Sequence, residues 1–143
     1  MSPIVIRRYD PEFHSPSEVR RVLAMAVGYP TDDKLDRLLC ETYASDCFTL
    51  YVAESDREPV GVIGLESQPD ATVLICHIAV DPSSRGIGVG RQLIDHASAS
   101  TGEPRLVAET DSDGVGFYRA CGFEIKSPGE KYPGVRRYAC TRI

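Results

Sequence analysis

Three glycines and two arginines lie close together in residues 85–91, whose sequence is RGIGVGR. Each glycine inside a helix costs about 1 kcal/mol relative to alanine, so this bare backbone serves another purpose. Where a strand leads into a helix, the first N–H groups are unpaired and lie at the positive end of the helix dipole, which favours a phosphate. The segment therefore predicts a phosphate or pyrophosphate site, with Arg85 as a cation at its edge.

Two other phosphate-binding loops fit this segment poorly. The P-loop requires Gly-Lys followed by Ser or Thr after its first glycine, and no such sequence follows here. The dinucleotide fingerprint can start at Gly86 and Gly88, but Arg91 stands at its third small position. Because Glu109 lies about twenty residues further on, where that fingerprint places a ribose-binding acid, a nucleotide site stays open as a weaker alternative.

The pattern that fits is Arg-x-x-Gly-x-Gly at Arg85, Gly88 and Gly90, after an apolar run that ends at Val80. A second segment, residues 117–123, has the sequence FYRACGF. With these two motifs at this separation, the chain resembles the Gcn5-related N-acetyltransferase (GNAT) superfamily, whose members bind the pyrophosphate of acetyl-CoA with such a glycine loop. The resemblance is good over residues 48–125. It implies the α/β (α+β) acyl-CoA N-acyltransferase fold in a single domain, residues 1–143.

This resemblance also implies acetyl-CoA as the cosubstrate, without a metal. Ile78 would pair its backbone with the pantetheine arm, and the N–H of Val80 would polarise the thioester carbonyl. Tyr118 would protonate the departing thiolate, as a phenol with a pKa of about 10 can. The cofactor-binding positions carried over in this way are Ile78, Val80, Arg85, Gly86, Gly88, Val89, Gly90, Arg91 and Tyr118.

The general base is the position with the most alternatives. An alkylamine with a pKa of about 10.4 is almost entirely protonated at neutral pH, so a base, a water relay or a lowered pKa of the amine must help. Many relatives carry an acidic residue on the central strand, whereas residues 71–80 contain none. His77 has a suitable ordinary pKa of about 6.5, although a lone strand histidine is more often a hydrogen-bonded core residue. Glu66 and Glu109, near the ends of flanking strands, are the rival candidates.

Composition limits the classes of partner. The formal net charge of −5 argues against non-specific nucleic-acid binding. There is no apolar run long enough to span a membrane and no secretory signal pattern, so we expect a cytoplasmic protein without a membrane partner. The five cysteines contain no Cys-x-x-Cys pair, which favours reduced thiols over a zinc site or a disulfide framework. A homodimer is the assembly to test.

Apolar periodicity predicts a mixed, mostly antiparallel sheet flanked by helices. Residues 71–80 form its centre, because their nearly continuous apolar character suits a strand covered on both faces. Residues 48–54 and 60–67 predict a hairpin with a longer loop, and the helix after the glycines is expected to fray over residues 98–102. Residues 127–137 predict a surface hairpin, or else a wall of the acceptor pocket that includes Tyr132 and Arg136.

The resemblance implies an N-acetyltransferase. Its reaction would move an acetyl group from acetyl-CoA to a primary amine of a small molecule or a protein N-terminus, by direct attack in a ternary complex. Because the central strand lacks a carboxylate, a non-catalytic acyl-CoA-binding or sensing module is the alternative.

Overall fold

The computed structural model describes residues 3–102, 105–127, 130–132 and 135–143. Seven strands form one sheet: β1 (Ile4–Arg8), β2 (Phe48–Ser55), β3 (Glu58–Gln68), β4 (Thr72–Val80), β5 (Arg105–Thr110), β6 (Glu124–Lys126) and β9 (Tyr138–Arg142). A separate hairpin consists of β7 (Glu130–Tyr132) and β8 (Val135–Arg136). The α-helices are α1 (Pro16–Leu23), α2 (Asp32–Arg37), α3 (Val89–Thr101) and α4 (Val115–Ala120).

The strand order in the large sheet is β1-β2-β3-β4-β5-β9-β6, which places β4 at the centre as expected. Every neighbouring pair is antiparallel except β4 and β5, which α3 connects. The predicted mixed, mostly antiparallel α/β sheet is thus confirmed. The parallel pair is short, because only the residues from Thr72 to Leu74 pair with β5. Beyond Leu74 the two strands part and leave a gap in the sheet.

Helices cover both faces of the sheet around this gap. On one face, α3 and α4 pack through residues such as Leu93 and Ile94 against Ile63 of β3. On the other face, α1 and the segment after α2 pack against the strands through Val22 and Leu39. A 3₁₀ turn (Ala24–Ala26) extends α1, and a π-helical turn (Leu38–Thr42) extends α2. Within the described ranges, no helix is both long enough and apolar enough to cross a bilayer.

Two expectations about local structure were wrong. The loop between β2 and β3 is a two-residue turn, Asp56 and Arg57, both with positive φ, and Pro59 lies inside β3 beside an irregularity in the register. The last turns of α3 do not fray, because the helix continues to Thr101 and ends at Gly102, whose φ is +69°. Left-handed φ suits glycine, which makes Gly102 an efficient helix terminator.

The segment before the last strand is confirmed as a hairpin, formed by β7 and β8. The side chains of Tyr132 and Arg136 lie outside the part of the chain that the structure describes. Their assignment to an acceptor pocket therefore stays a prediction.

Candidate active site

The glycine loop enters α3 through two residues with left-handed backbone. Gly86 has a φ of +82°, and Gly88, the N-cap of α3, has a φ of +86°. The first helical hydrogen bond there runs from the N–H of Gln92 to the carbonyl of Gly88. The N–H groups of residues 89–91 therefore have no acceptor within the helix and are available to an anion at its N-terminus.

Gly90 is needed for a different reason, which is close packing. A Cβ at this position would lie 2.7 Å from Cε1 of Phe117 on α4. No real Cβ approaches a ring carbon so closely, so any larger residue would displace the Phe117 ring. This glycine therefore brings α4, and with it Tyr118, close to the start of α3.

The turn between β4 and the glycine loop is held by Asp81. Its Oδ1 accepts hydrogen bonds from the N–H and the hydroxyl of Ser83, and its Oδ2 pairs with Arg21 of α1. These hydrogen bonds lower the pKa of the Asp81 carboxyl to about 2. The carboxylate is thus ionised at neutral pH and links the end of the central strand to α1.

The register between β3 and β4 leaves one edge of β4 unpaired. Val80 lies opposite Gly61, while the N–H of Asp81 donates to the carbonyl of Val60 at 2.7 Å. That pattern makes Gly61 and Val80 a non-hydrogen-bonded pair, so the backbone groups of Val80 point away from β3. By the two-residue period, the same holds for Ile78. Both residues face the gap that β5 has left.

A cavity of about 500 Å³, here called the cofactor-side cavity, lies at this gap. Its wall combines the free edge of β4 with the glycine loop and the first turn of α3. The lining positions that the sequence predicted are Ile78, Val80, Arg85, Gly86, Gly88, Val89, Gly90 and Arg91. The structure thus brings these eight positions together around one space, although their individual roles stay predictions.

The two arginines of the loop have different hydrogen bonds. Nε of Arg85 donates to the carbonyl of Val80 at 3.1 Å, which holds the guanidinium beside the free strand edge. Arg91 donates to the carbonyl of Ala120 near the end of α4. Arg91 therefore connects α3 to α4, whereas Arg85 keeps most of its donors available at the cavity.

A second cavity of about 840 Å³, here called the acceptor-side cavity, adjoins the first. The two share four lining residues: Met25, Ile78, Arg85 and Phe117. Three carboxyl groups line the acceptor-side cavity, those of Glu109, Asp111 and Asp113, together with the guanidinium of Arg85. Oδ1 of Asp111 accepts from the N–H groups of Asp113 and Gly114 in the turn that precedes α4.

Tyr118 lines the acceptor-side cavity from α4 and is 6% exposed. Burial, with smaller effects from Cys140 and Cys121, raises the pKa of its phenol to about 12. The hydroxyl therefore keeps its proton at neutral pH. Among the described residues it has no hydrogen-bond partner, so it is available as a proton donor.

His77 lines the same cavity from β4. Its Nδ1 and the hydroxyl of Tyr43 are 2.6 Å apart, at hydrogen-bonding distance. Burial lowers the pKa of the imidazole, so the ring is neutral at physiological pH. A neutral imidazole in a cavity wall can accept a proton.

The rival bases lie in other positions. Glu66 is half-buried on β3, opposite Leu74, and it lines neither the cofactor-side nor the acceptor-side cavity. Glu109 lines the acceptor-side cavity, but it is exposed and its carboxylate is 4.0 Å from Nε of Arg137. Of the three candidate bases, His77 is the one that lies on β4 itself, in the wall of the acceptor-side cavity where the strands part.

Sequence reasoning missed three residues at the site. Met25, on the 3₁₀ turn after α1, and Phe117, on α4, line both cavities. Tyr43, which directly follows the π-helical turn, is 7% exposed. Phe117 could have been identified, because it directly precedes Tyr118 in the motif of residues 117–123. No signal marked Met25 or the contact of Tyr43 with His77.

The comparisons with known proteins agree with this geometry. Residues 46–125 match the family model of the acetyltransferase (GNAT) domain. Peptidyl-lysine N-acetyltransferase YjaB of Escherichia coli (strain K12) is 37% identical over 92 residues, which are 59% of this chain and 59% of that protein. The match thus spans about three fifths of this curated relative.

Two solved structures share the fold over almost the whole chain. An acetyltransferase from Thermus thermophilus has a TM-score of 0.79 at 19% identity and covers 99% of both chains. A GNAT family acetyltransferase from Elizabethkingia anophelis with acetyl-CoA bound has a TM-score of 0.69 at 21% identity and covers 96% of both chains. The family model spans more than half of the chain and includes the glycine loop and the FY motif. The chain therefore belongs to the GNAT acetyltransferase family.

Proposed function

We propose that this protein transfers an acetyl group from acetyl-CoA to a primary amine, by direct attack within a ternary complex. The observation that carries the proposal is the free edge of β4, which faces two adjoining cavities beside a helix N-terminus. One cavity suits an anionic cosubstrate, and the other suits a cationic acceptor. Their shared wall is where the two reactants would meet.

Acetyl-CoA would occupy the cofactor-side cavity. The unpaired N–H groups at the start of α3 and the guanidinium of Arg85 suit its pyrophosphate, and the apolar wall suits the pantetheine arm. The backbone of Ile78 would pair with that arm as an added strand would. The N–H of Val80 would donate to the thioester oxygen, where negative charge develops during attack. The acetyl-CoA-bound relative from Elizabethkingia anophelis supports this choice of cosubstrate.

The proposed chemistry uses Tyr118 and His77, two of the titratable groups in the acceptor-side cavity. The lone pair of the amine forms the new C–N bond to the thioester carbon, and the carbonyl electron pair moves onto oxygen. When that pair returns, the C–S bond breaks and the hydroxyl of Tyr118 donates its proton to the leaving thiolate. The ammonium loses its first proton to water before attack. The nitrogen then loses its second proton, as the amide forms, to Nε2 of His77, the ring nitrogen that Tyr43 does not occupy. Proton exchange with water returns the Tyr118 phenolate and the His77 imidazolium to their starting states. A phenol with a pKa of about 12 and a neutral imidazole have the protonation states that these steps require.

The acceptor we propose is the ε-amine of a peptide lysine. The carboxyl groups of Glu109, Asp111 and Asp113 would attract its ammonium group before it is deprotonated. The relative from Escherichia coli is named a peptidyl-lysine N-acetyltransferase. That name supports a lysine side chain as the acceptor rather than a small amine or a protein N-terminus. The homodimer remains a prediction.

The test is acetyl-CoA binding by calorimetry together with thiol release, for a lysine peptide, an α-amino peptide and a small diamine. We expect Tyr118→Phe to bind acetyl-CoA normally but to lower kcat at least 10-fold, because the proton donor is lost. Tyr51→Phe is the matched control, since Tyr51 lies on β2 and lines neither cavity. Arg85→Ala should weaken acetyl-CoA binding instead.

Each outcome separates the proposal from its alternatives. Acetyl-CoA binding without thiol release for any amine would support a non-catalytic binding module. Absence of binding, or competition by a nucleotide alone, would overturn the acetyltransferase proposal. Thiol release with the small diamine but not with the lysine peptide would show that the proposed acceptor is wrong, while the proposed acetyl transfer would stand.

A further inference from the structure

Tyr43 and His77 form a contact that connects the face of the sheet covered by α1 and α2 to the acceptor-side cavity. The Tyr43 oxygen is 2.6 Å from Nδ1 of His77, and the two rings meet edge to face with centroids 5.9 Å apart. Nε2, the second ring nitrogen, has no partner among the described residues. The ring thus has one nitrogen occupied by protein and one left for the cavity that it lines.

The backbone of β3 makes room for this contact at Gly64, the residue opposite His77. A Cβ at Gly64 would lie 1.8 Å from the Tyr43 oxygen and 2.4 Å from its Cζ. Any side chain there would therefore force the Tyr43 ring away from His77. The space occupied by the hydroxyl exists only because this strand position is a glycine.

Two local irregularities meet at the same place. The π-helical turn Leu38–Thr42 immediately precedes Tyr43, and the register between β3 and β4 shifts between Gly64 and Leu65. The shift makes Cys76 an extra residue on β4, directly before His77. π-Turns and bulges interrupt regular hydrogen bonding, and both occur frequently at functional sites. Here they flank the two ends of one hydrogen bond.

The polar groups around His77 come from several elements. Cys76 neighbours it on β4. Burial raises the pKa of Cys76 and of Tyr43, and half-buried Glu66 of β3 adds a smaller effect in the same direction to each. Across the acceptor-side cavity lie Glu109, Asp111 and Asp113, with Tyr118 and Arg85 beside them. Of these groups, only Tyr43 makes a hydrogen bond to the imidazole. Tyr43 is therefore the group that can fix which ring nitrogen carries the proton.

We propose that Tyr43 is a positioning residue for the amine-deprotonating step, whose hydroxyl oxygen accepts Nδ1–H of His77 and so keeps Nε2 of the neutral ring open as the proton acceptor. The proposal rests on the proposed function. When the amine proton transfers to Nε2, the ring becomes an imidazolium with two N–H donors. The Tyr43 oxygen then stabilises the charged ring through Nδ1–H, as an oriented acceptor does in other acid–base pairs.

The sign of a pKa change distinguishes this arrangement from its reverse. If Tyr43 accepts from Nδ1–H, the contact favours the charged ring, so Tyr43→Phe lowers the pKa of His77 further. If Tyr43 instead donates to Nδ1, the contact favours the neutral ring, so the same substitution raises that pKa. In the reverse arrangement the proton of the neutral ring sits on Nε2, which then cannot act as a base.

The experiment follows the His77 ring by ¹⁵N–¹H NMR from about pH 5 to about pH 8 in the wild type and in Tyr43→Phe. His77→Gln assigns the signals among the three histidines of the chain. We expect the Nδ1–H tautomer in the wild type, a lower His77 pKa in Tyr43→Phe, and a kcat about 10-fold lower with KM unchanged. Tyr51→Phe is the control, because Tyr51 also contacts a histidine, His96, with centroids 4.6 Å apart.

Two results would overturn the inference. One is an Nε2–H tautomer in the wild type, and the other is a His77 pKa that rises or stays constant in Tyr43→Phe. The NMR measurement needs no acetyl acceptor, so it also stands if the proposed reaction fails. Should His77→Gln keep the wild-type kcat, the proposed base would be wrong even though the Tyr43 contact were present.

Discussion

Two histidines of this chain have equally short side-chain hydrogen bonds but differ in how many of their ring nitrogens have a protein partner. Nε2 of His14 lies 2.6 Å from Oε1 of Glu54, and Nδ1 of His77 lies 2.6 Å from the Tyr43 oxygen. In His14, however, Nδ1 also accepts the N–H of Asp10 at 3.0 Å. His14 therefore uses both ring nitrogens within the protein, whereas His77 uses one among the described residues.

The surroundings of the two rings also differ, because His14 is buried in the protein whereas His77 lines a cavity. His14 is 5% exposed and packs between the rings of Tyr9 and Phe13, in the segment that joins β1 to α1. His77 is half-buried in the wall of a cavity whose other side carries Tyr118. A short hydrogen bond is thus common to both. What distinguishes the candidate catalytic histidine is a ring nitrogen without a protein partner, at a surface that a substrate can reach.

The largest effect on stability should come from His14→Ala. This substitution leaves the buried Glu54 carboxylate without its partner and the N–H of Asp10 without its acceptor. We expect the free energy of unfolding to fall by about 3 kcal/mol, because a buried carboxyl group and a backbone N–H each lose their hydrogen-bond partner. Urea unfolding followed by circular dichroism measures this change, and kcat of the remaining folded enzyme should equal that of the wild type.

Glu54→Gln is the matched variant, because its amide oxygen still accepts Nε2–H of His14. Its cost should be nearer about 1 kcal/mol. If both variants were as stable as the wild type, the hydrogen bonds of His14 would not stabilise the fold, and the contrast with His77 would fail.

His77→Gln should show the opposite behaviour. The glutamine amide keeps a polar group near Tyr43 but cannot accept a proton at neutral pH, so the amine would lose its base. We expect kcat in the thiol-release assay to fall about 100-fold, the lower range for a general base, with little change in urea unfolding. His96→Gln is the control, since His96 lies on α3 and lines neither the cofactor-side nor the acceptor-side cavity. A kcat within roughly two-fold of the wild type would point to a water relay.

Much of the site could be predicted because its signal is local in sequence. The spacing of Arg85, Gly88 and Gly90 after an apolar run indicated the helix N-terminus, and the structure places all three around one cavity. The parallel pairing of β4 and β5 is the arrangement that a single connecting helix favours. These features depend on short-range periodicity and on the backbone preferences of single residues, both of which can be read from neighbouring positions in the sequence.

The contact between Tyr43 and His77 could not be predicted, because it joins residues 34 positions apart. It also depends on a π-turn, on a register shift and on the missing side chain of Gly64, none of which has a periodic signature. The tight turn at Asp56 and Arg57 was missed for a related reason. Pro59 suggested a loop, but the register irregularity at Ala53 and Glu54 accommodates it within β3.

The smallest expected effect is on the pH dependence of stability. Burial lowers the pKa of His77 in the folded protein, whereas in the unfolded chain it returns to about 6.5. As the pH falls below about 6.5, the unfolded state therefore binds the proton first, and the free energy of unfolding decreases until the pH passes the folded pKa. At higher pH the ring is neutral in both states and contributes no slope.

His77→Gln removes this titration, so its unfolding midpoint in urea should fall less than that of the wild type between about pH 7 and about pH 5. The difference between the two curves isolates His77 from the other acid-sensitive groups, His96 among them, whose pKa burial also lowers. Parallel curves would mean that His77 is as solvated as in the unfolded chain. Its neutral state at the cavity wall would then not be a property of the fold, and the contrast with His14 would reduce to hydrogen bonding alone.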